Sequence, residues 1–435
     1  MPPVEAMMDS HPGRPVAPDL RSLLFGAAEA SLTMASETLA AVYLPLLAID
    51  LGATPLQVSL VVGLPLLTAN ALQLVFAPLG EHPASRKRVW LWGSGLMRAL
   101  WVPLVLLPVL PLPQEAAVEL LVVLSALRGT ASAVAAPAWT GIMADLTDPS
   151  WRGRYFGARN LGINLASFLA SLAGGLIVDG APGTVGYAGA FGLALVLGVM
   201  AHLSILPVRV PVGPDAVSAA AAFAWRGVVE RGLRPSRWPG SFRRYTLFFW
   251  VWTLATFVPG SLYPIYFTDH LEGSRSLWGM ANAATYIGLI VLQRWWGRLS
   301  DSRGHLPVLV SSGVATSVLA ALWPALPHPQ WLVPLNFLAG IAWSGYNLAA
   351  FNLLLEWTPD EGRPTFVSVF NAGAGVAAAA GPILGSWCAG ALGIPVVMVG
   401  AALLRVVAAL ALRGRGPHLR TLPISRLRAS AGRPW

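Results

Sequence analysis

Residues 23–48 read LLFGAAEASLTMASETLAAVYLPLLA, a run of 26 residues in which two glutamates, Glu29 and Glu37, are the only charges. A bilayer's hydrocarbon core takes about 20 apolar residues as a helix, so this run is long enough to cross. It is also too long for the apolar core of a signal peptide, and residues 1–20 lack a small-residue cleavage site. Eleven comparable stretches follow, near 56–79, 89–110, 117–142, 157–178, 186–207, 245–267, 276–296, 306–325, 331–355, 366–388 and 394–412. The sequence therefore predicts an all-α membrane protein with twelve transmembrane helices.

Composition agrees. Hydrophobic residues make up 55% of the 435-residue chain and charged residues 11%. A soluble domain carries about 25% charged residues. The net charge of +9 would suit nucleic acid if it were clustered on one domain, but it is dispersed over alternate loops. With loops assigned alternately to two sides, twenty-three of the 29 basic residues fall on one side, including Arg86, Lys87, Arg88, Arg243 and Arg244. Arg275 alone falls on the other, and five lie in the spans. The positive-inside rule then puts both termini in the cytoplasm, which requires an even number of spans. The one cysteine, Cys388, permits neither an internal disulfide nor a cysteine metal cluster.

The longest polar stretch divides the chain. The expected parts are a cytoplasmic tail (1–20), a six-helix unit (21–207), a basic linker (208–244), a second six-helix unit (245–413) and a basic tail (414–435). The linker contains a segment, Ala216 to Arg231, that reads either as a surface helix on anionic headgroups or as loosely ordered chain. The two units repeat each other. Pro45 with Asp50 matches Pro264 with Asp269 at an offset of 219. Asp145-Leu-Thr147, Arg152 and Asn160 align without gaps to Glu356-Trp-Thr358, Arg363 and Asn371 at an offset of 211, as does Gly174 to Gly385. Duplicated helical units are how many secondary transporters are built, with substrate held between the halves.

One loop adds a motif: Gly297-Arg-Leu299-Ser-Asp301-Ser-Arg303-Gly304. Its sister, Ala77-Pro-Leu79-Gly-Glu81, keeps the pattern loosely and ends in Arg86-Lys87-Arg88. With the twelve spans and the repeat, this loop resembles the cytoplasmic signature of the major facilitator superfamily. The resemblance implies two pseudo-symmetric six-helix bundles that rock about a central cavity lined by helices 1, 4, 7 and 10. It implies a small-molecule substrate, no cofactor and no enzymatic activity.

Ionisable residues inside spans are rare and costly, so they lead the list of candidate functional groups. Glu37 on helix 1 and Arg128 on helix 4 lie at similar depth near the midplane. If both helices line a cavity, the two are natural partners. An ion pair favours the ionised carboxylate, and losing it in another conformation favours protonation, which is a route to proton coupling. The competing reading is a structural pair that neutralises two charges. Helix 4 reads Arg128-Gly-Thr-Ala-Ser, matching only the arginine of the Arg-x-x-Gln-Gly motif in the family's antiporters. Glu29, nearer the helix start, is expected to reach cytoplasmic water or to gate substrate. Arg98 is expected to be a structural partner or to snorkel, and Arg405 to snorkel from helix 12 toward the cytoplasm.

Glu81 and Asp301, in the two signature loops, are each expected to follow the end of a helix. In the family fold each approaches the other half, where Arg363 and Arg152 or Arg154 stand. The expectation is a cytoplasmic latch; the plain alternative is topology signals at helix ends. Gly174, Gly175, Gly297, Gly304, Gly381, Pro382 and Gly385 read as close-packing or bending positions. Gly381-Pro382 and Gly385 resemble an antiporter signature that the family carries in helix 5, here displaced to helix 11. The second half also offers aromatic and amide groups for a cavity wall: Trp252, Tyr263, Asn282, Tyr286, Trp343, Tyr346 and Asn347. For any single one of them, packing or lipid-facing surface is the readier reading. Such a wall suits an amphipathic organic molecule, including a cation.

There is no P-loop pattern, and a single lysine (Lys87) leaves no room for a hidden one. The combined expectation is a secondary transporter in a cell membrane, a bacterial inner membrane, working as a monomer and exporting a small organic molecule in exchange for protons. Uptake by symport or facilitated diffusion is the first alternative. A non-transporting sensor or scaffold is the second.

Overall fold

The computed structural model describes residues 20–76, 79, 83–147, 152–210, 238–359 and 363–414. Among these, every regular element is helical. The first half comprises α1 (Leu20–Asp50), α2 (Pro55–Phe76), α3 (Pro83–Ala99, continued by Trp101–Leu106), α4 (Gln114–Leu146), α5 (Arg152–Asp179) and α6 (Val185–Ile205). The second comprises α7 (Gly240–Phe257, continued by Leu262–Asp269), α8 (Arg275–Val291, continued by Gln293–Arg303), α9 (His305–Ala321), α10 (Leu332–Trp357), α11 (Arg363–Leu392) and α12 (Ile394–Gly414). The chain is a twelve-helix, two-bundle membrane protein. Eleven of the twelve are unbroken or nearly so and long enough to span by length and composition. The eighth is interrupted at Leu292, so the continuous helix expected over 276–296 is instead two pieces meeting at a kink. In α7, Pro259 has no N–H to continue the ladder. Gly260 turns back onto the Phe257 carbonyl (2.8 Å) before the helix resumes.

Apart from Leu20 and Gly414, the expected tails 1–20 and 414–435 lie outside the described residues, as do most of the linker 208–244 (including Ala216 to Arg231), Glu81 and the side chain of Arg152. Where the linker ends, α7 starts at Gly240, five residues before the expected span, with buried Trp238 packed on Phe242.

Large apolar side chains cover the outside. Trp92 and Trp387 are each more than three-quarters exposed, and Leu176, Phe351 and Val407 more than half. In water this surface would drive association; in a bilayer it is solvent-matched. The interior is organised in three clusters. One belongs to the first half alone (Leu23, Trp90, Ile142, Met143, Ile205) and one to the second alone (Phe242, Tyr245, Trp252, Leu309, Phe370). Both lie toward the face bearing Leu20 and Gly414, here the termini face. The third cluster lies toward the opposite, distal face. It joins the halves, with Tyr43, Leu47, Trp101 and Phe191 continuous with Phe267 and Trp278. The bundles thus share one core at the distal face and keep separate cores at the termini face.

The repeat is visible in the packing. Gly174 on α5 sits directly against Leu39 and Tyr43 of α1, and Gly385 on α11 directly against Val258 after the first part of α7. Leu39 and Val258 are 219 positions apart, the offset that matches Pro45 to Pro264. Equivalent glycines therefore admit equivalent neighbours in each bundle. Across the halves, α5 meets α8 and α2 meets α11. A Cβ on Gly175 would lie 2.7 Å from the Ser276 Cα, so only a glycine lets these backbones approach so closely.

Candidate functional site

Three cavities lie along the junction of the bundles. The first, about 370 Å³, is bounded by Glu37, Ala41 and Pro45 of α1, Val62 and Pro65 of α2, Arg128 and Ser132 of α4, and Phe257. The second, about 300 Å³, shares Ala41, Pro45 and Val62 and reaches Tyr263, Asn282, Asn336, Trp343 and Arg405 of the second half. The third, about 400 Å³, shares Thr256 and Trp343 with the second and adds Asn70, Gln73, Trp252, Tyr346, Asn347 and Asn371. Shared walls make them compartments of one central space, of the size that small organic ligands occupy.

In the first compartment, Arg128 Nη2 donates to both carboxylate oxygens of Glu37, at 2.8 and 2.9 Å. Arg128 is 5% exposed, while the Glu37 side chain is 32% exposed toward the cavity. The Arg128 guanidinium lies 3.9 Å from the centroid of the Trp101 ring. Trp101 is held by its own indole N–H, which donates to Ser36 Oγ (3.0 Å); Ser36 in turn donates to the Ala194 carbonyl (2.8 Å). Cation–ring attraction and the carboxylate together compensate a charge at membrane depth. The sequence pattern gave no sign of Trp101 in this role, because nothing along the chain links α3 to α1 and α4.

Glu29 departs from expectation. It is 5% exposed and lines none of the three cavities. Thr33 Oγ1 donates to its carboxylate (2.9 Å) and accepts from Arg98 Nη2 (2.6 Å), and Arg98 Nε donates to the Gly198 carbonyl (3.1 Å). Packing of α1 against α6 and α5, with Arg98 reaching in from α3, encloses the group, so it is held inside the first bundle rather than hydrated. Arg98 itself is buried at 3% exposure and does not snorkel.

Six of the seven aromatic and amide candidates border the cavities: Tyr263 and Asn282 the second, Trp252, Tyr346 and Asn347 the third, and Trp343 both. Trp252 and Tyr346 are stacked at 4.7 Å, and the Trp252 indole N–H and Tyr346 hydroxyl are buried without hydrogen-bond partners. Tyr286 instead approaches Thr38 of the first half, oxygen to oxygen, at 3.5 Å.

Arg405 also departs from expectation. It is 3% exposed and turned inward rather than toward the termini face. Nη2 donates to Thr316 Oγ1 (2.8 Å), and the guanidinium lies 4.9 Å from the Trp252 ring and 5.4 Å from the Trp343 ring.

Of the expected latch, Asp301 and Arg154 are exposed and Arg363 is half-buried, within 3.5 Å of the Leu355 carbonyl. The described ion pair between the halves is at the other end. Arg275, the lone loop cation of its side, pairs with Asp50 and donates from Nε to Tyr187 Oη (3.2 Å); Tyr187 donates to Asp50 (2.5 Å). The Asp179 carboxylate accepts from the backbone N–H of Arg275 (3.1 Å) and Ser276 (2.7 Å), capping the start of α8. Beneath it Ser171 Oγ donates to the Gly279 carbonyl (2.9 Å), the Trp278 indole to the Val42 carbonyl (3.1 Å), and Ser59 pairs with Ser261 (2.8 Å). This seal was missed in sequence, although the isolation of Arg275 among the loops was its signal. Of the conformational residues, Gly174, Gly175, Gly381 and Gly385 sit at close helix contacts, and Pro382 lies inside α11. Gly304 adopts φ +85 between α8 and α9, while Gly297 faces open space.

Twelve apolar helices in two repeating bundles around a cavity with buried charges describe a membrane transporter. The family profile of the Major Facilitator Superfamily matches residues 30–260 and again 246–430. The chain belongs to that superfamily, a family of transporters and not of enzymes. The multi-drug resistance efflux pump PmrA of Streptococcus pneumoniae is 25% identical over 121 residues, 28% of this chain. That match spans about 30% of the pump's length. Among solved structures, the nucleoside transporter NupG superposes with TM-score 0.69 at 12% identity, over 90% of this chain and 99% of NupG. A POT family transporter in complex with 5-aminolevulinic acid gives 0.65 at 11% identity, over 92% and 97%. At such identities the likeness is one of fold.

Proposed function

We propose that the chain carries a small organic molecule across a membrane by alternating access, coupled to protons through Glu37. The observation that carries this reading is the Glu37–Arg128 pair in the wall of the inter-bundle cavity. Both residues belong to the first bundle, so rocking does not carry them apart; it changes the water and substrate that reach the partly exposed Glu37 carboxylate and compete there with Arg128. A carboxylate left without its cation takes up a proton more readily, so conformation and protonation become linked. The shared distal core and the Arg275–Asp50 seal support an access route from the termini face in this conformation. The charge asymmetry of the loops supports a cytoplasmic termini face, and we assign the protein to a bacterial inner membrane, acting as a monomer. Asp301, Glu81 and their arginine partners would close the termini face in the opposite state.

Efflux in exchange for protons is the preferred direction, supported by the short match to a drug pump. Uptake by symport is the second reading, supported by the fold shared with nucleoside and peptide transporters. The test is purified protein in liposomes under an imposed pH gradient, with wild type and Glu37→Gln. Solute-dependent proton movement that disappears in Glu37→Gln supports coupling, and its sign gives the direction. Solute flux without proton movement rejects coupling at Glu37.

A further inference from the structure

We propose that the second-half compartment binds the anionic group of an organic substrate, a carboxylate in the first instance, on Arg405. This rests on the transporter reading and specifies its substrate class. Arg405 lies midway along α12, 3% exposed, in the wall of the 300 Å³ compartment. Its described partners are a neutral hydroxyl, Thr316, and the faces of Trp252 and Trp343; its Nε has none. No described carboxylate of its own bundle is at its depth. Between residues 245 and 413 the acids are Asp269, Glu272, Asp301, Glu356, Asp360 and Glu361. Asp269, Asp301 and Glu356 fall in the last turn of a helix and Glu272 between helices, while Asp360 and Glu361 lie outside the described residues. In the first half, Glu37 is engaged by Arg128.

A buried cation at membrane depth that lacks a counter-ion marks a binding function. A guanidinium presents a planar fork of donors matched to a carboxylate. Around it, Asn282 and Asn336 supply amides and Tyr263 and Trp343 supply ring faces. That combination fits an anion with an apolar or aromatic body. The sequence alone admitted a cation among the amphipathic molecules that suit aromatic walls; the inward turn of Arg405 favours an anion.

The test uses the purified full-length protein and a panel of aryl and alkyl carboxylates, each beside its neutral amide, beginning with 3-phenylpropionate and 3-phenylpropanamide. Binding is read by quenching of tryptophan emission and by thermal shift. The expected result is at least tenfold tighter binding of carboxylates than of amides, lost in Arg405→Gln and partly kept in Arg405→Lys. Equal affinities across the panel in wild type overturn the proposal, even if Arg405→Gln does not fold. A preference that survives in folded Arg405→Gln overturns it too. Competition by inorganic phosphate as effective as by the carboxylate overturns the organic part. A flux assay separates this from the transporter reading. A carboxylate that binds at Arg405 without crossing the liposome membrane counts against transport alone. Flux of a neutral or cationic solute that carboxylates do not affect counts against the anion site alone.

Discussion

Two buried arginines, one in each bundle, face the same central space under different terms. Arg128 rests on Trp101 and is matched by a carboxylate; Arg405 rests on Trp252 and Trp343 and is matched by none among the described residues. The repeat shows that the difference is not inherited from a common arrangement. At the offset of 219, Glu37 corresponds to Thr256, and at 211 Arg128 corresponds to Ala339. Both neutral counterparts line the compartment that holds Arg405. The second bundle has lost or never had the acid–base pair and carries its charge on a different helix. Under the proposed function this is a division of labour: a group that can change its charge on one side of the cavity, and a fixed charge on the other.

Breaking the paired side is expected to have the largest effect. In Glu37→Leu, Arg128 stays buried with only a ring face for company. Removing one member of a buried pair costs about 3–5 kcal/mol, somewhat less here because Glu37 is partly open to the cavity. Thermal unfolding in detergent should show a clear loss, and the double variant Glu37→Leu/Arg128→Met should recover most of it. If the double variant is as unstable as the single one, the damage lies in packing and the pair is not the cause.

The seal between the bundles comes next. Arg275→Ala removes the charge-assisted contacts to Asp50 and Tyr187 while the backbone N–H groups that Asp179 caps remain. Such contacts are worth about 1.5–3 kcal/mol, so the distally open population should rise at least about tenfold. Cysteine introduced at Ala41, in a Cys388→Ala background, reports this as faster labelling from the distal side. Unchanged labelling would mean that the shared apolar core closes this face unaided.

How much of this was legible in the sequence follows from what each feature depends on. Twelve spans, two units and the Glu37–Arg128 pairing were readable because depth in a membrane is counted along the chain. Helices known to face one another then bring residues of equal depth together. Arg405 was misread because depth does not tell which way a helix is rotated, and its inward turn depends on Trp252, Trp343 and Thr316 from three other helices. Glu29 was misread for the same reason, being enclosed by Thr33 and Arg98. The break at Leu292 has no proline or glycine beside it and so left no local signal.

Arg405→Met sharpens the central comparison at lower cost. A flexible apolar side chain can fill the space between Trp252 and Trp343, and no carboxylate of the bundle is left behind. Replacing a buried ionic group by an apolar one of similar volume is often neutral or stabilising. The expected change is a gain of about 1 kcal/mol, read as a rise in Tm, together with loss of solute binding. A large loss of stability would instead make Arg405 a structural keystone.

The smallest expected effect is at the expected latch. Asp301 is exposed, without a partner among the described residues, and sits two residues before the end of α8. Exposed charges contribute about 0–1 kcal/mol, and the end of a helix favours a cation over an anion. Asp301→Arg should therefore leave folding and membrane levels unchanged. If Asp301 meets an arginine of the other half only when the termini face closes, the same change must weaken that one state. A destabilisation of about 1 kcal/mol shifts a two-state balance roughly fivefold, and flux should fall by a comparable factor while solute affinity stays the same. Flux equal to wild type at normal protein levels would leave the Arg275 seal as the working gate and reduce the signature loop to a helix end.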